Sequence, residues 1–360
     1  LSANYFFSYK KLKVQYMMRF NFIKNTALFV IIFLSCENIK SSKYEISLGA
    51  NQLEIYLPKL KNKSIGIVAN QTSVIFKKNT IISVDNYNKK KSYTHLVDSL
   101  IKRGVNIKKV FSPEHGYRGA SDAGEYVSDN FDKKTGLPII SLYGKNRIPN
   151  PETLKGLDII IFDIQDIGTR FYTFISTLHY MMEACANLNI PMILLDRPNP
   201  NISYVDGPVL DMKYKSFVGM HPVPIVHGMT IGEFAKMING EGWLGGELKC
   251  DLTVVPVMNY SRKTAYSLPI KPSPNLPNDK AINLYPSLCL FEGTNVSVGR
   301  GTEMQFQIFG SPYLNTKDYK YKFIPISNFG AKNPKFKNKV CYGENLENNK
   351  NLNKVNLSWI

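Results

Sequence analysis

Paired cysteine motifs, a metal-binding histidine helix and nucleotide-binding glycine loops are all missing from this 360-residue chain. Its five cysteines, Cys36, Cys185, Cys250, Cys289 and Cys341, form no Cys-x-x-Cys pair and lie far apart, which argues against a clustered metal site. No Gly-x-Gly-x-x-Gly opens a helix after the first apolar run, and there is no Walker loop. Dinucleotides and nucleoside triphosphates are therefore not expected, and no cofactor or metal is. Acidic residues are scarce: 28 against 45 basic ones, for a net charge of +17. Such an excess suits nucleic acid, an anionic membrane surface or an anionic polymer such as a cell-wall glycan. With no recognition helix, zinc-finger spacing or basic stripe interleaved with aromatics, no nucleic-acid partner is expected. Internal repeats are also absent.

The amino-terminal region has basic residues, Lys10, Lys11, Lys13, Arg19 and Lys24, and no acidic one before Cys36. Met17-Met18-Arg19, Lys24 and the apolar stretch Ala27 to Leu34 read as the start of a secretory signal, with residues 1–16 upstream of it. The stretch is too short to span a bilayer comfortably and runs into Ser35-Cys36-Glu37. It resembles a bacterial lipoprotein signal in which Cys36 carries the lipid, so an exported periplasmic or outer-membrane-associated lipoprotein, held at the membrane only by that anchor, is expected.

What the chain does have is a series of short apolar runs, each ending in an ionisable loop. Ile107 to Phe111 leads into Ser112-Pro113-Glu114-His115-Gly116-Tyr117-Arg118-Gly119, where proline fixes the backbone before Glu114 and two glycines let it bend sharply afterwards. Leu157 to Phe162 leads into Asp163-Ile164-Gln165-Asp166-Ile167-Gly168-Thr169-Arg170, and Pro191 to Leu195 into Asp196-Arg197-Pro198-Asn199-Pro200. One such loop reads equally well as a solvated surface turn. Three in succession read as a site, because open α/β sheets gather their ligands outside the carboxyl ends of the strands.

The alternation places strands at Ile65 to Ala69, Ile107 to Phe111, Leu137 to Leu142, Leu157 to Phe162, Pro191 to Leu195 and Leu252 to Val257. Helices are predicted at Tyr93 to Arg103, Phe171 to Asn189 and Thr230 to Asn239. This is an α/β, Rossmann-like parallel sheet with helices on both faces. Residues 260–285, rich in Pro, Ser, Asn and Lys, read as a crossing segment into a second unit. The expected organisation is 1–36 as extension and signal, 46–255 as a catalytic domain and 256–360 as a smaller auxiliary domain. The glycine-rich Gly293 to Thr302 could bring Glu292, Arg300 and Glu303 to the cleft.

Together the motifs Asn70-Gln71-Thr72, Pro113-Glu114-His115-Gly116, Ser141-Leu142-Tyr143-Gly144, Phe162 to Asp166, Asp196 to Pro200, His227-Gly228-Met229-Thr230, Pro272-Ser273-Pro274-Asn275 and Phe291 to Thr302 resemble the exo-β-N-acetylmuramidases. These are peptidoglycan glycoside hydrolases. The resemblance runs from about residue 46 to the end; family members continue through a further helical stretch, so the stop at Ile360 reads as a truncation. It implies a Rossmann-like domain, a smaller second α/β domain and a cleft for the non-reducing end of muramic-acid-containing saccharides. Glycoside hydrolysis needs a carboxylic acid at the leaving oxygen and a second group at the anomeric carbon. Glu114 is the expected acid, Asp166 the second carboxylate with Asp163 next, and His115 orients Glu114. Arg118, Arg170 and Arg197 are candidates for the lactyl carboxylate, and Tyr143 and Tyr172 for the sugar face. Asn70 is the candidate for the N-acetyl group, and Asp196, Glu292 and Arg300 for further substrate contacts. Two alternatives stand beside this reading: a noncatalytic glycan-binding lipoprotein, and a metal-dependent hydrolase using His115, Asp163 and Asp166.

Overall fold

Strands buried on both faces show near-continuous apolar runs, and Ile65–Ala69, Ile159–Asp163 and Met192–Leu195 are such strands. The computed structural model describes residues 45–77, 93–118 and 130–359, with Ile46 onward forming one compact unit. Cys36, the signal segment and Gly119 lie outside the described residues.

Before residue 256 the described strands are β1 (Ile65–Ala69), β2 (Val74–Phe76), β3 (Tyr93–His95), β4 (Ile107–Ser112), β5 (Asn130–Phe131), β6 (Pro138–Ser141), β7 (Ile159–Asp163), β8 (Met192–Leu195) and β9 (Leu252–Val255). Seven of them form the main sheet in the order β5-β6-β4-β1-β7-β8-β9, parallel except for β5 at the edge. Alternate side chains of β7 enter different cores. Ile160 and Phe162 join the cluster under the helices Phe174–Asn187 and Ile231–Gly240, whereas Ile159 and Ile161 face Leu96, Val97 and Leu100 of the helix Leu96–Lys102. That period of two explains how a run without polar residues is fully buried.

Three predicted boundaries shift for local reasons. The helix expected from Tyr93 begins at Leu96, because Tyr93–His95 pairs antiparallel with Val74–Phe76 and the His95 ring accepts the Val97 amide at the helix start. The helix expected from Phe171 begins at Phe174, since the Arg170 amide bonds to Ile225 O and the Tyr172 amide to Thr169 O. The end of the crossing segment is itself helical: Asn278 caps the Ala281 amide and opens the helix Asp279–Leu288.

Beyond that helix a smaller antiparallel sheet, β10 (Ile308–Ser311), β11 (Tyr321–Phe323) and β12 (Cys341–Asn345), has the order β10-β12-β11. Tyr285, Phe291, Phe306 and Phe309 share one buried cluster with Phe174 and Leu178 of the larger layer. A continuous apolar seam thus joins the carboxyl-terminal part to the main sheet and closes one side of the cleft described next.

Candidate active site

Strand register sets the site. Ser112 of β4 pairs with Ser141 of β6, so Glu114 and Tyr143, each two residues further on, leave the sheet side by side. The Tyr143 hydroxyl donates to Glu114 Oε1 at 2.9 Å. On the other carboxylate oxygen, Thr173 Oγ1 donates to Oε2 at 3.1 Å. The turn bearing Glu114 is tight: the Gly116 amide reaches Pro113 O at 3.1 Å, and both His115 and Gly116 have left-handed φ, 71° and 80°. A left-handed histidine is uncommon, and here it holds a buried ring against the cleft.

Glu114 opens into a cleft of about 550 Å³, large enough for a sugar ring and lined by residues of both layers. Among the lining residues are His115, Tyr143, Arg170, Tyr172, Glu292 and Arg300, all of which the sequence nominated. Glu292 and Arg300 meet there as a two-pronged ion pair, Nε to Oε1 at 2.5 Å and Nη2 to Oε2 at 3.1 Å, with the guanidinium 5.0 Å from the Phe306 ring. The phenol of Tyr172 is pushed well up by burial, then by the charges of Asp166 and Glu114.

Asp166 does not line the cleft. It is 2% exposed; Oδ2 accepts the Gly168 amide at 2.7 Å and lies 3.6 Å from His227 Nε2, while Oδ1 has no hydrogen-bond partner. The Met229 amide donates to His227 Nδ1, so the ring proton sits on Nε2 and faces Asp166.

Other nominated residues hold the fold. Asp163 is wholly buried and gripped by Arg197, Nε to Oδ1 at 2.5 Å and Nη2 to Oδ2 at 2.8 Å. Burial pushes the Asp163 carboxyl up and Arg197 pulls it back. Arg118 forks onto Asp132 at 2.9 and 2.7 Å and reaches Asp98 at 3.2 Å. Asp196 accepts the Gly232 amide and the Thr230 hydroxyl, both at 2.8 Å, tying down the start of the helix Ile231–Gly240; burial raises its carboxyl to about 6. Asn70 folds back on Thr72 in a buried turn, its Oδ1 accepting the amide at 2.9 Å and the hydroxyl at 2.6 Å. Thus Asp163, Asp166, Asn70, Arg118, Asp196 and Arg197 are not brought to the cleft wall. Among the described residues no group of three His, Cys, Asp or Glu side chains could hold a metal ion.

Sequence reasoning missed Thr173, Arg147 and Phe217, all in the cleft wall. Thr173 fell inside the helix expected from Phe171 and so gave no signal of its own; only the observed start at Phe174 puts it at the helix entrance. Arg147 and Phe217 sit in loops with no motif around them.

Fold and cleft define an α/β protein, helices on both faces of a mostly parallel sheet, with a carboxylate-bearing pocket of sugar size at the carboxyl ends of the strands. The chain belongs to the exo-β-N-acetylmuramidase NamZ family: residues 65–280 match its amino-terminal domain and residues 283–359 its carboxyl-terminal domain. It is 41% identical over 289 residues to the peptidoglycan β-N-acetylmuramidase NamZ of Bacillus subtilis, a match covering 78% of this chain and 65% of that protein's length. Two crystal structures of DUF1343 family proteins from Bacteroides fragilis are also similar. One has TM-score 0.73 and 49% identity, covering 85% of this chain and 78% of the other. The second has TM-score 0.68 and 32% identity, covering 84% and 77%.

Proposed function

We propose that the chain is an exo-acting glycoside hydrolase that removes a terminal non-reducing β-linked N-acetylmuramic acid from peptidoglycan fragments, with Glu114 as general acid. The observation that carries this reading is the Glu114 carboxyl, aimed into a sugar-sized cleft and held at both oxygens by the Tyr143 and Thr173 hydroxyls. Glu114 gives its proton to the glycosidic oxygen as the bond to the anomeric carbon breaks, and water supplies the hydroxyl that replaces it. Two donors fix the carboxyl so that its proton-bearing oxygen meets the leaving group without reorganisation. Tyr143 and Tyr172 offer ring faces to the sugar. Asp166 lies behind the wall and Glu292 is paired with Arg300, so neither stands at the cleft as a free second carboxylate.

The supporting comparison is to a relative named for this activity, matched over 65% of its length. The expected setting is the cell envelope, with Cys36 as lipid anchor.

The test is hydrolysis of a chromogenic β-N-acetylmuramide and of the matching N-acetylglucosaminide by the full chain and its Glu114→Gln variant. Release from the muramide alone, reduced about 10²- to 10⁴-fold by the substitution, is expected. Binding of the muramide with no release by the unaltered protein would instead mark a noncatalytic glycan binder.

A further inference from the structure

Four backbone carbonyls of one short loop converge on a single ammonium. Lys335 Nζ lies 3.4 Å from Phe291 O, 3.2 Å from Glu292 O, 2.5 Å from Thr294 O and 3.2 Å from Val296 O. A lysine ammonium has three N–H groups, so the acceptors outnumber the donors and the charge itself draws the last oxygen in. Phe291 O shows this directly: it already accepts the Thr294 amide at 2.9 Å and the Thr294 hydroxyl at 2.8 Å, yet still turns to the ammonium. Rings of converging carbonyls are how proteins replace the water shell of a potassium ion. Here the ion is carried on a side chain.

The loop wound in this way is a wall of the cleft. Cys289, Leu290, Glu292 and Gly293 line it, and Glu292 is held twice, its carbonyl oxygen by Lys335 and its carboxylate by Arg300. Lys335 reaches Glu292 from 43 residues further along the chain. Its neighbour steadies the other half of the ion pair: Pro334 packs on Gly301, beside Arg300, where φ is +80° and a Cβ would overlap both the Pro334 ring and Ile326 O. Residues 334 and 335 therefore brace both ends of the Glu292–Arg300 pair. The acid is braced separately, since Glu114 takes its hydrogen bonds from Tyr143 and Thr173, neither of which belongs to this loop.

We propose that Lys335 is a positioning residue for the cleft: its ammonium is a built-in monovalent cation around which residues 291–296 are wound, and a chain lacking it takes up a potassium-sized ion in the same carbonyl cage. The cage fixes the Glu292–Arg300 wall. On the hydrolase reading above, on which its effect on the sugar rests, that wall holds the substrate while Glu114 performs the proton transfer.

Alkylation of Cys289 by iodoacetamide, located by peptide mapping of the full chain, tests the cage without turnover. Cys289 Sγ lies 3.7 Å from Glu292 Oε2, and burial pushes its thiol well up, so its reactivity reports how firmly the wall is closed. Lys335→Ala is expected to label about tenfold faster, with ammonium chloride restoring the slow rate and tetramethylammonium chloride at the same ionic strength failing to, because that ion is too large for the cage. Neither salt should move the unaltered chain. Cys185, buried in the main core, stays slow in the same digest as long as the variant is folded. Lys335→Met keeps the side-chain stem without the charge and should label as fast as Lys335→Ala. On the muramide both variants should raise KM about tenfold with kcat within about twofold, and ammonium should restore KM in Lys335→Ala.

Unchanged labelling in both variants, a change in Lys335→Ala that Lys335→Met lacks, or rescue that is absent or no better than with tetramethylammonium would overturn the proposal. Faster labelling with KM unmoved would reduce Lys335 to a structural tie and overturn its positioning role. Should the full chain hydrolyse neither glycoside while ammonium still protects Cys289 in Lys335→Ala, the cage stands and the hydrolase reading falls; hydrolysis of the muramide with Cys289 indifferent to ammonium gives the reverse.

Discussion

Thr173 Oγ1 donates to Glu114 Oε2 at 3.1 Å from the N-cap position of the helix Phe174–Asn187, where it makes no capping bond of its own. A threonine at that position ordinarily serves the free amides of the first turn. Here the hydroxyl is committed to the acid, and helix stability does not depend on it. Thr173→Val should therefore leave the melting temperature nearly unchanged and lower kcat on the muramide about tenfold, the loss expected for one hydrogen bond to a charged or reacting carboxyl. Tyr143→Phe should act on the other oxygen to a similar extent. Because both hydroxyls position one group, the double variant should lose less than the product of the two single losses. Steady-state kinetics of the three variants decides it: a Thr173→Val enzyme with full kcat and a lowered melting temperature would make this threonine a structural cap.

Much of this arrangement could be read before any coordinates, and the part that could not has a definite cause. Glu114, Asp163 and Asp196 each follow an apolar run, and a run followed by ionisable residues marks the carboxyl end of a strand; β7 ends at Asp163, β8 one residue before Asp196 and β4 two residues before Glu114. Which carboxylate faces the cleft depends on partners far away in sequence. Arg197 looked like a substrate ligand until Asp163, 34 residues earlier, was seen to occupy it, and Asp132 occupies Arg118 across 14 residues. Conversely, Arg147 carries no local motif and acquires its place only through Phe217, which the fold brings from a different loop. The antiparallel sheet beyond residue 300 has no such signal, because its strands, Ile308–Ser311, Tyr321–Phe323 and Cys341–Asn345, are broken by glycine or polar residues and form no apolar run.

The Asp163–Arg197 pair is a stability element. Removing one partner from a wholly buried ion pair leaves the other charged and unsolvated, at a cost of about 3–5 kcal/mol. Asp163→Asn and Arg197→Met should each lower the denaturant midpoint by a corresponding amount, while the folded fraction of each keeps most of its kcat. A loss of kcat in a protein whose midpoint is unchanged would instead return Asp163 to the chemistry.

Stability should decline as pH falls from 6.5 towards 4. Burial lowers the imidazoles of His95 and His179 to about 4 and that of His221 to about 3, and His221 Nε2 lies 2.9 Å from His179 Nδ1 in the same apolar pocket. In the unfolded chain these rings take up protons near pH 6.5, which the native state refuses until about pH 4, so the unfolded state gains across that interval. Asp196 works in the opposite sense: its native carboxyl, raised to about 6, is protonated while the unfolded one is still charged, which favours the native state as pH drops from 6 to the ordinary aspartate range. Asp163, whose carboxyl burial also raises, works alongside Asp196, so three imidazoles stand against two carboxyls and leave a net loss. Urea unfolding at pH 7 and pH 5 measures it, and the difference should shrink in His179→Gln. Equal stability at the two pH values would show that the buried imidazoles accept protons in place.

Gly168 supplies the last expectation, because it packs the Asp166-bearing loop after β7 against the loop after β8. Its φ of +76° is one that glycine adopts freely, and a Cβ built there would overlap the side-chain amide of Asn199. Asn199 cannot step aside cheaply: its Nδ2 donates to Met229 O at 2.9 Å and its Oδ1 accepts the Asn201 amide at 2.8 Å. Gly168 also donates its amide to Asp166 Oδ2 at 2.7 Å, so a displaced backbone would carry Asp166 with it and change the field at Tyr172. Gly168→Ala should thus cost about 1–3 kcal/mol of stability, from the left-handed backbone and the collision together. It should also lower kcat in the fraction that folds, whereas the strain alone would lower only stability. Kinetics on folded protein at a temperature well below its melting transition separates the two, and an unchanged kcat there would remove Asp166 from any part in the reaction.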